Sequence, residues 1–368
     1  MSIFLFNVIF VIIMAFIESK FNKTYQKHIN RPKVVIMKIT LVCIPVVLLL
    51  TIEMGFRGDF TQDIINYFNQ FNITYNWADV TSSSKNQGYN AMMVIFHQFS
   101  HCYLYFLVFL ALIMSSSLVL FFWNEAHKIW LALFVMFCCG VFYSGFNIMR
   151  EFLAFSLFTL CIRFIYRKQF KYYVISILII STVHLSAVFM LPLYFIPRIR
   201  WKSFDRMTII LSFILIVAFV FLFMGRILDI VTTYIYEEYN EVNAFGMNKG
   251  TSMEGTLKAI ALSLIVVINL KYFNRNNDRD MLVYNGCLLY MFFAICGFRV
   301  YMLQRLTMYF SAFLMIAYPL IISRIRSQSI RRNAILFLSI LLISSIANLL
   351  LSTTYYFYWD NQTVDWAP

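Results

Sequence analysis

Nine polar residues stand out against an apolar sequence as candidates for chemistry. They are Arg57, Asp59 and Asp63 in RGDFTQDIINYFNQF, Asn147 and Arg150 in GFNIMREFLAFSL, His184 in STVHLSAVF, and Arg299, Gln304 and Arg305 in RVYMLQRLTMYF. Arginine presents a planar fork of donors that suits phosphate or carboxylate oxygens. An imidazole or carboxylate held within hydrogen-bond reach of a hydroxyl can take its proton. Together these types point to work on an anionic ligand, with cations to receive charge and a base to receive a proton.

Each position also has a plainer reading. Asp59 and Asp63 are four residues apart and share a helix face with Tyr67, or they simply end a helix in a solvated loop. Arg150 opens an apolar run, where a positive charge opposes the helix macrodipole. It therefore pairs with Glu151 or another acid, or waits for an anion. His184 is either a satisfied structural residue or a ligand-contacting one. Arg299 and Arg305 are six apart and do not share a face; Arg305, beside Gln304, lies within an apolar stretch and is expected to point into a helix bundle. His97 and His101 in HQFSH are spaced like a metal pair, but no HExxH glutamate lies between them and only three other histidines exist. There is no Gly-rich phosphate loop, no GxSxG and no acidic cluster fit for magnesium, so no metal and no cofactor are expected.

The elements that hold these residues must be membrane helices. The 368 residues are 61% hydrophobic and 13% charged, with a mean hydropathy of +0.74. A soluble domain carries about 25% charge. Apolar runs recur along the chain at the length, about 20 residues, that crosses a hydrocarbon core. They do not alternate as barrel strands do. The reading is an all-α polytopic membrane protein, a single integral domain over 1–368. Spans are expected near 2–17, 34–54, 100–122, 129–146, 150–166, 207–224, 256–272, 281–298, 302–322 and 334–352. The first run has no basic residues before it and no cleavage site after it, so it reads as a retained span. The seven cysteines fall in or beside apolar runs with no CxxC pair, as packing residues do.

Charge counting fixes the sidedness and the fate of residues 171–200. If 172–197 is a re-entrant hairpin, 22 of the 30 Lys and Arg and 5 of the 17 Asp and Glu fall on the inner side. If that segment is one full span, every later loop flips and the inner side keeps only 16 of the 30. The cytoplasmic Lys/Arg bias selects the hairpin. It also accounts for the net charge of +13 without nucleic acid. The result is about ten spans plus a hairpin, with both termini outside the cytoplasm. Irregular backbone at membrane depth must be buried in protein or line a cavity, so the tip around His184 is expected to line one. Two sizeable outer loops, 55–90 and 225–255, face the same side; the second is a lid or a mobile connection.

The order of these motifs resembles a known family. FNIMREFLAFSLF, then RFIYRKQFKYY, then STVHLSAVFMLPLYF look like the EpsG-like branch of the Wzy-type bacterial polysaccharide polymerases. RGDFTQDIINYFNQF resembles that family's early arginine/aspartate–tyrosine loop, and RVYMLQRLTMYFSAFLMIAYPLII its late arginine–leucine–x–x–tyrosine–phenylalanine helix. Many members read Arg-Gln where this chain has Arg150-Glu151, a departure in which a carboxylate able to pair with the arginine weakens it as an anion site.

The resemblance implies a metal-independent glycosyltransferase with a GT-C-like helical bundle in the bacterial inner membrane. It would transfer a growing glycan from undecaprenyl diphosphate to a sugar hydroxyl of the next lipid-linked repeat unit, at the outer, periplasmic face. Arg57, Arg150, Arg299 and Arg305 would contact the diphosphate, with Asn147, Gln304 and Asp63 beside the diphosphate or glycan. His184 or Asp59 would be the base. Tyr67, Tyr75, Trp77 and Tyr89 would stack on sugar rings or serve as interface residues. Implied partners are the lipid-linked oligosaccharide, the bilayer and a chain-length regulator. A lipid-linked oligosaccharide flippase and an outer-face sugar acyltransferase are the competing readings.

Overall fold

A computed structural model of the chain describes residues 3–25, 32–58, 62–82, 86–126, 128–199, 253–298 and 301–329, with a few isolated positions beyond them. Asp59, Arg299, residues 225–252 of the second outer loop and nearly all of the expected spans 207–224 and 334–352 lie outside the described residues. Those described are helical, with no strand among them; one isolated bridge pairs Arg57 with Phe357. Four helices among them, Val35–Gly55, Tyr103–Glu125, Asp278–Gly297 and Leu303–Arg324, are long and apolar enough to cross a membrane. At 1.5 Å per residue each covers about 30 Å, the thickness of the hydrocarbon core. The protein is a helical membrane protein.

The chain groups into two compact units, Met1–Tyr194 with Arg326–Pro368, and Phe195–Ile325. The first begins with α1 (Ile3–Tyr25), α2 (Pro32–Lys38), a π turn over Ile39–Cys43, and α3 (Ile44–Gly55). Polar side chains inside an apolar packing must find each other. Asn7 of α1 accordingly donates through Nδ2 to Glu53 Oε2 of α3 at 3.1 Å, and that nitrogen lies 3.0 Å from Tyr143 Oη.

The expected outer loop 55–90 is largely helical. It holds α4 (Gln62–Ile73), α5 (Trp77–Ser82) and the start of α6 (Gln87–His97). Its polar composition hides an amphipathic stripe: Ile64, Tyr67 and Phe71 are buried at helical spacing. Then come α7 (Tyr103–Glu125), α8 (Ile129–Cys138) and α9 (Val141–Ser144). The expected span 129–146 is thus broken. Cys139 and Gly140 form a turn, and Gly140 adopts φ 73°, the left-handed conformation that stops a helix. The N-terminus of α8 is met by buried Glu18, whose oxygens lie 3.4 Å and 3.3 Å from the backbone nitrogens of Ile129 and Trp130.

After α10 (Met149–Tyr166) the chain enters the ambiguous segment. α11 (Phe170–Val183) is about 21 Å long at 1.5 Å per residue, too short to cross. His184 is extended, with φ −151° and ψ 123°, and a 3-10 helix follows over Leu185–Arg198. The second arm folds back along the first. Tyr173 Oη donates to Met190 O at 2.5 Å, and the Tyr194 ring lies 4.9 Å from that of Phe170 and 5.8 Å from that of Tyr173. Buried Ala187, Met190 and Leu193 recur every three residues, the 3-10 period. Pro192 and Pro197 carry no N–H to complete an α-helical ladder.

The second unit contains α12 (Met253–Ile268), α13 (Asp278–Gly297) and α14 (Tyr301–Arg324). Asn277 Oδ1 caps α13 by accepting from Arg279 N at 2.9 Å. Buried Asp280 pairs with Arg324 at the far end of α14, and Arg324 Nη1 also donates to Tyr272 O at 2.6 Å. Phe293 and Phe310 stack at 4.9 Å between the two long helices.

A folded-back 170–198 segment leaves both of its ends at one level. Single cysteines at Lys168 and Ile199, in a background lacking the native cysteines, are expected to react with an impermeant thiol reagent from one side of oriented vesicles. Reaction from opposite sides would mean a single crossing.

Candidate functional site

Four elements of the first unit meet around two guanidinium groups. Arg57 follows α3 directly and is fully buried. Its Nη1 donates to Met54 O at 2.6 Å and its Nη2 lies 3.2 Å from Met149 Sδ. It therefore ties the end of α3 to the first residue of α10, and the next residue of α10 is Arg150.

Arg150 reaches back over the helices that replaced the expected loop. Its Cζ lies 5.0 Å from the Tyr67 ring centre and 5.8 Å from that of Tyr89. Its Nη1 lies 3.4 Å from Gln70 Oε1 and, with the Asn86 amide oriented by its neighbours, 3.1 Å from Asn86 Oδ1. Every one of these partners is neutral. Among the described residues no carboxylate pairs with Arg150, and Glu151 is turned into the core at 1% exposure. Pairing with Glu151, one of the alternatives open to Arg150, does not occur, because adjacent residues on a helix point in different directions. Among the described residues the positive charge of Arg150 has no counter-charge.

Two tyrosines form the wall of this pocket of charge. Tyr67 and Tyr89 are tilted against each other at 6.2 Å, and Tyr89 is fully buried. Burial pushes the Tyr89 phenol well above its ordinary range, with Tyr103 and Tyr67 adding and Arg150 and Arg57 opposing. Tyr89 therefore stays protonated.

The hairpin tip comes to the same place. Asn86 Nδ2 donates to Val183 O at 3.2 Å, so a single amide links the last turn of α11 to Arg150. Gly88 packs against Thr182 so closely that a Cβ there would lie 2.2 Å from Thr182 Oγ1 and 3.0 Å from its carbonyl carbon. His184, the next residue along from Val183, is half-buried with Nδ1 at 2.7 Å from Ser186 Oγ. The Ser186 backbone N–H also approaches that Nδ1, at 3.4 Å.

The remaining expected residues sit as follows. Asn147 is half-buried in the turn before α10, its N–H bonded to Ser144 O at 3.2 Å. Asp63 is half-buried in the first turn of α4. Gln304 and Arg305 are half-buried near the start of α14 in the second unit, where Gly297 lies against the Gln304 backbone. Asp59 and Arg299 are outside the described residues. Sequence reasoning missed Gln70, Asn86 and Gly88. The Asn-Gln-Gly turn signal before a helical stretch pointed only to Asn86 and Gly88; nothing in the sequence marked Gln70.

The sequence profile of the EpsG family matches residues 39–362. The chain belongs to the EpsG family. EpsG-like proteins are Wzy-type polymerases. No curated protein and no solved structure matches the chain. Arg57, Arg150, His184 and Arg305 all fall inside the region shared with the EpsG family.

His97 and His101, spaced like a metal pair, are engaged with each other. Their Nδ1 atoms lie 3.2 Å apart, and His97 Nε2 lies 3.0 Å from Phe71 O. The carbonyl requires a proton on Nε2, so His97 Nδ1 accepts from His101. Burial holds the His97 pKa below its usual 6.5, with Phe71 O opposing and His101 adding to the depression.

Two outcomes follow for this EpsG-family site. Gly88→Ala is expected to push the hairpin tip away at a cost of about 1–3 kcal/mol, lowering the thermal midpoint of the purified protein. Because the folded-state pKa of His97 is depressed, its contribution to stability is complete above about pH 6.5 and is lost as pH falls through that region. Thermal melts should drop on acidification from about pH 7.5 to 5.5, and His97→Gln should flatten that dependence.

Proposed function

We propose that this EpsG-family protein polymerises lipid-linked oligosaccharide repeat units at the outer, periplasmic face of the bacterial inner membrane. The oxygen of a sugar hydroxyl on the incoming unit attacks the anomeric carbon of the growing glycan. The bond from that carbon to phosphate breaks, undecaprenyl diphosphate leaves with the electron pair, and the hydroxyl proton passes to His184 or Asp59. The observation that carries this reading is an arginine whose partners among the described residues are all neutral, one amide away from a hairpin tip that bears a histidine.

A departing lipid diphosphate gathers negative charge, and a preorganised guanidinium in a site of low dielectric stabilises it without reorganising. Arg150 suits that role, because its aromatic and amide partners orient it and leave its charge intact. Arg57 is enclosed, so it acts through its field and by fixing the start of α10. Asp63, Asn147, Arg299, Gln304 and Arg305 are further candidates to contact the diphosphate or the glycan. In this reading the arginines, rather than a metal ion, take up the charge of the leaving group. The helices would form a GT-C-like bundle with both chain termini outside the cytoplasm, and a chain-length regulator is the protein partner such a polymerase would meet.

The test is complementation of a polymerase-null strain that makes the matching repeat unit, with the glycans resolved on a gel. Wild type should restore a ladder. Properly inserted Arg150→Ala, Arg305→Ala and His184→Ala should each leave about one repeat per lipid core, a loss of roughly 10²–10³ in rate. Failure of wild type to build a ladder, with unpolymerised units retained on the cytoplasmic side, would favour a flippase instead. Normal ladders from all three variants would remove these residues from the site.

A further inference from the structure

Asn86 has a backbone and a side chain that ask for different explanations. Its φ is 57° and its ψ 33°, one of two non-glycine residues with positive φ among those described. Asparagine tolerates that left-handed region better than most side chains, yet glycine would occupy it with less strain. The residue also precedes α6, where asparagine ordinarily accepts from the free backbone N–H groups of the helix start. Here its side chain makes no such bond. The amide is diverted outward: Oδ1 receives Arg150 Nη1 at 3.1 Å and Nδ2 donates to Val183 O at 3.2 Å.

Val183 O belongs to the last turn of α11, whose carbonyls lack intrahelical partners. Bare carbonyls are costly in an apolar setting, so the donor that answers one decides where the helix end rests. On the other side, the acceptor that answers Arg150 decides where the guanidinium rests. One amide does both. Gly88, two residues on, allows the approach by having no Cβ to strike Thr182. A side chain at position 86 must therefore tolerate positive φ, accept from an arginine and donate to a carbonyl. Asparagine meets all three requirements; glycine meets the first, and aspartate the first two.

We infer that Asn86 is a positioning residue, which holds the hairpin tip carrying His184 in register with the Arg150 guanidinium. It does not touch the reacting atoms. Its consequence for turnover rests on the polymerase reading, while its consequence for the hairpin does not. Loss of the bridge lets tip and guanidinium drift apart, and a displacement of about 1 Å in a catalytic constellation costs up to about a hundredfold in rate.

The experiment uses the full-length protein in lipid nanodiscs, comparing wild type with Asn86→Gly and Asn86→Asp. Hydrogen exchange is followed in peptides covering residues 181–190. Turnover is measured with lipid diphosphate-linked repeat units extracted from a polymerase-null host. Asn86→Gly relieves the backbone strain, so the folded fraction should be preserved while tip amides exchange about tenfold faster. Its kcat should fall by about tenfold or more with KM within about twofold, the signature of lost orientation rather than lost binding. Asn86→Asp keeps the acceptor without the donor and should loosen the tip equally, which preserves the test if the glycine variant misfolds. Unchanged exchange at the tip in both variants overturns the inference. So does faster exchange with unchanged kcat per folded molecule, which would mark a merely structural contact. If wild type forms no polymer, the polymerase reading fails, and the bridge is then supported by faster tip exchange or overturned by unchanged exchange.

Discussion

Hydrocarbon offers no hydrogen bonds, so any charge or unpaired backbone group carried into it must be answered by the protein itself. That constraint governs the first unit from Arg57 outward. A fully buried guanidinium at the end of α3 is tolerable because Met54 O accepts from it and Met149 meets its other end. The same contacts fix where α10 starts. With that start fixed, Arg150 emerges over Tyr67 and Tyr89 rather than toward lipid.

The hairpin obeys the same rule at a different point. An α-helix that stops at Val183 leaves carbonyls exposed, and Asn86 answers one of them. Tyr173 answers another on the returning arm by donating to Met190 O. Satisfying backbone groups at depth therefore draws α6, α11 and α10 to one place. The cation in the middle is met there by amides and aromatic faces, none of which carries a charge.

Buried carboxylates elsewhere keep to structural duties. Glu18 receives the start of α8, where the helix presents positive partial charge, with Lys38 3.6 Å away. Asp280 joins Arg324 and so ties the beginning of α13 to the end of α14. Both acids have their charge answered by a cation.

What the sequence determined by itself was set by composition and by counting. Apolar length required membrane helices, and the bias of Lys and Arg favoured a chain that turns back between 172 and 197 rather than crossing. The order of FNIMREFLAFSLF, STVHLSAVF and RVYMLQRLTMYF was enough to suggest the family, since these motifs are read locally. What it left undecided depended on contacts between distant segments. The helices within 55–90 were hidden because a polar surface masks their buried stripe of Ile64, Tyr67 and Phe71. The break at Gly140 was hidden because apolar character continues on both sides of it. The partners of Arg150 could not be read either, since Gln70, Asn86 and Tyr89 lie some 60–80 residues away and the neighbouring Glu151 was the obvious candidate. Tertiary packing decided that the acid points into the core and that an amide between α6 and α11 faces the arginine. Helix geometry sends adjacent side chains apart, and only the folded chain determines which distant group fills the space.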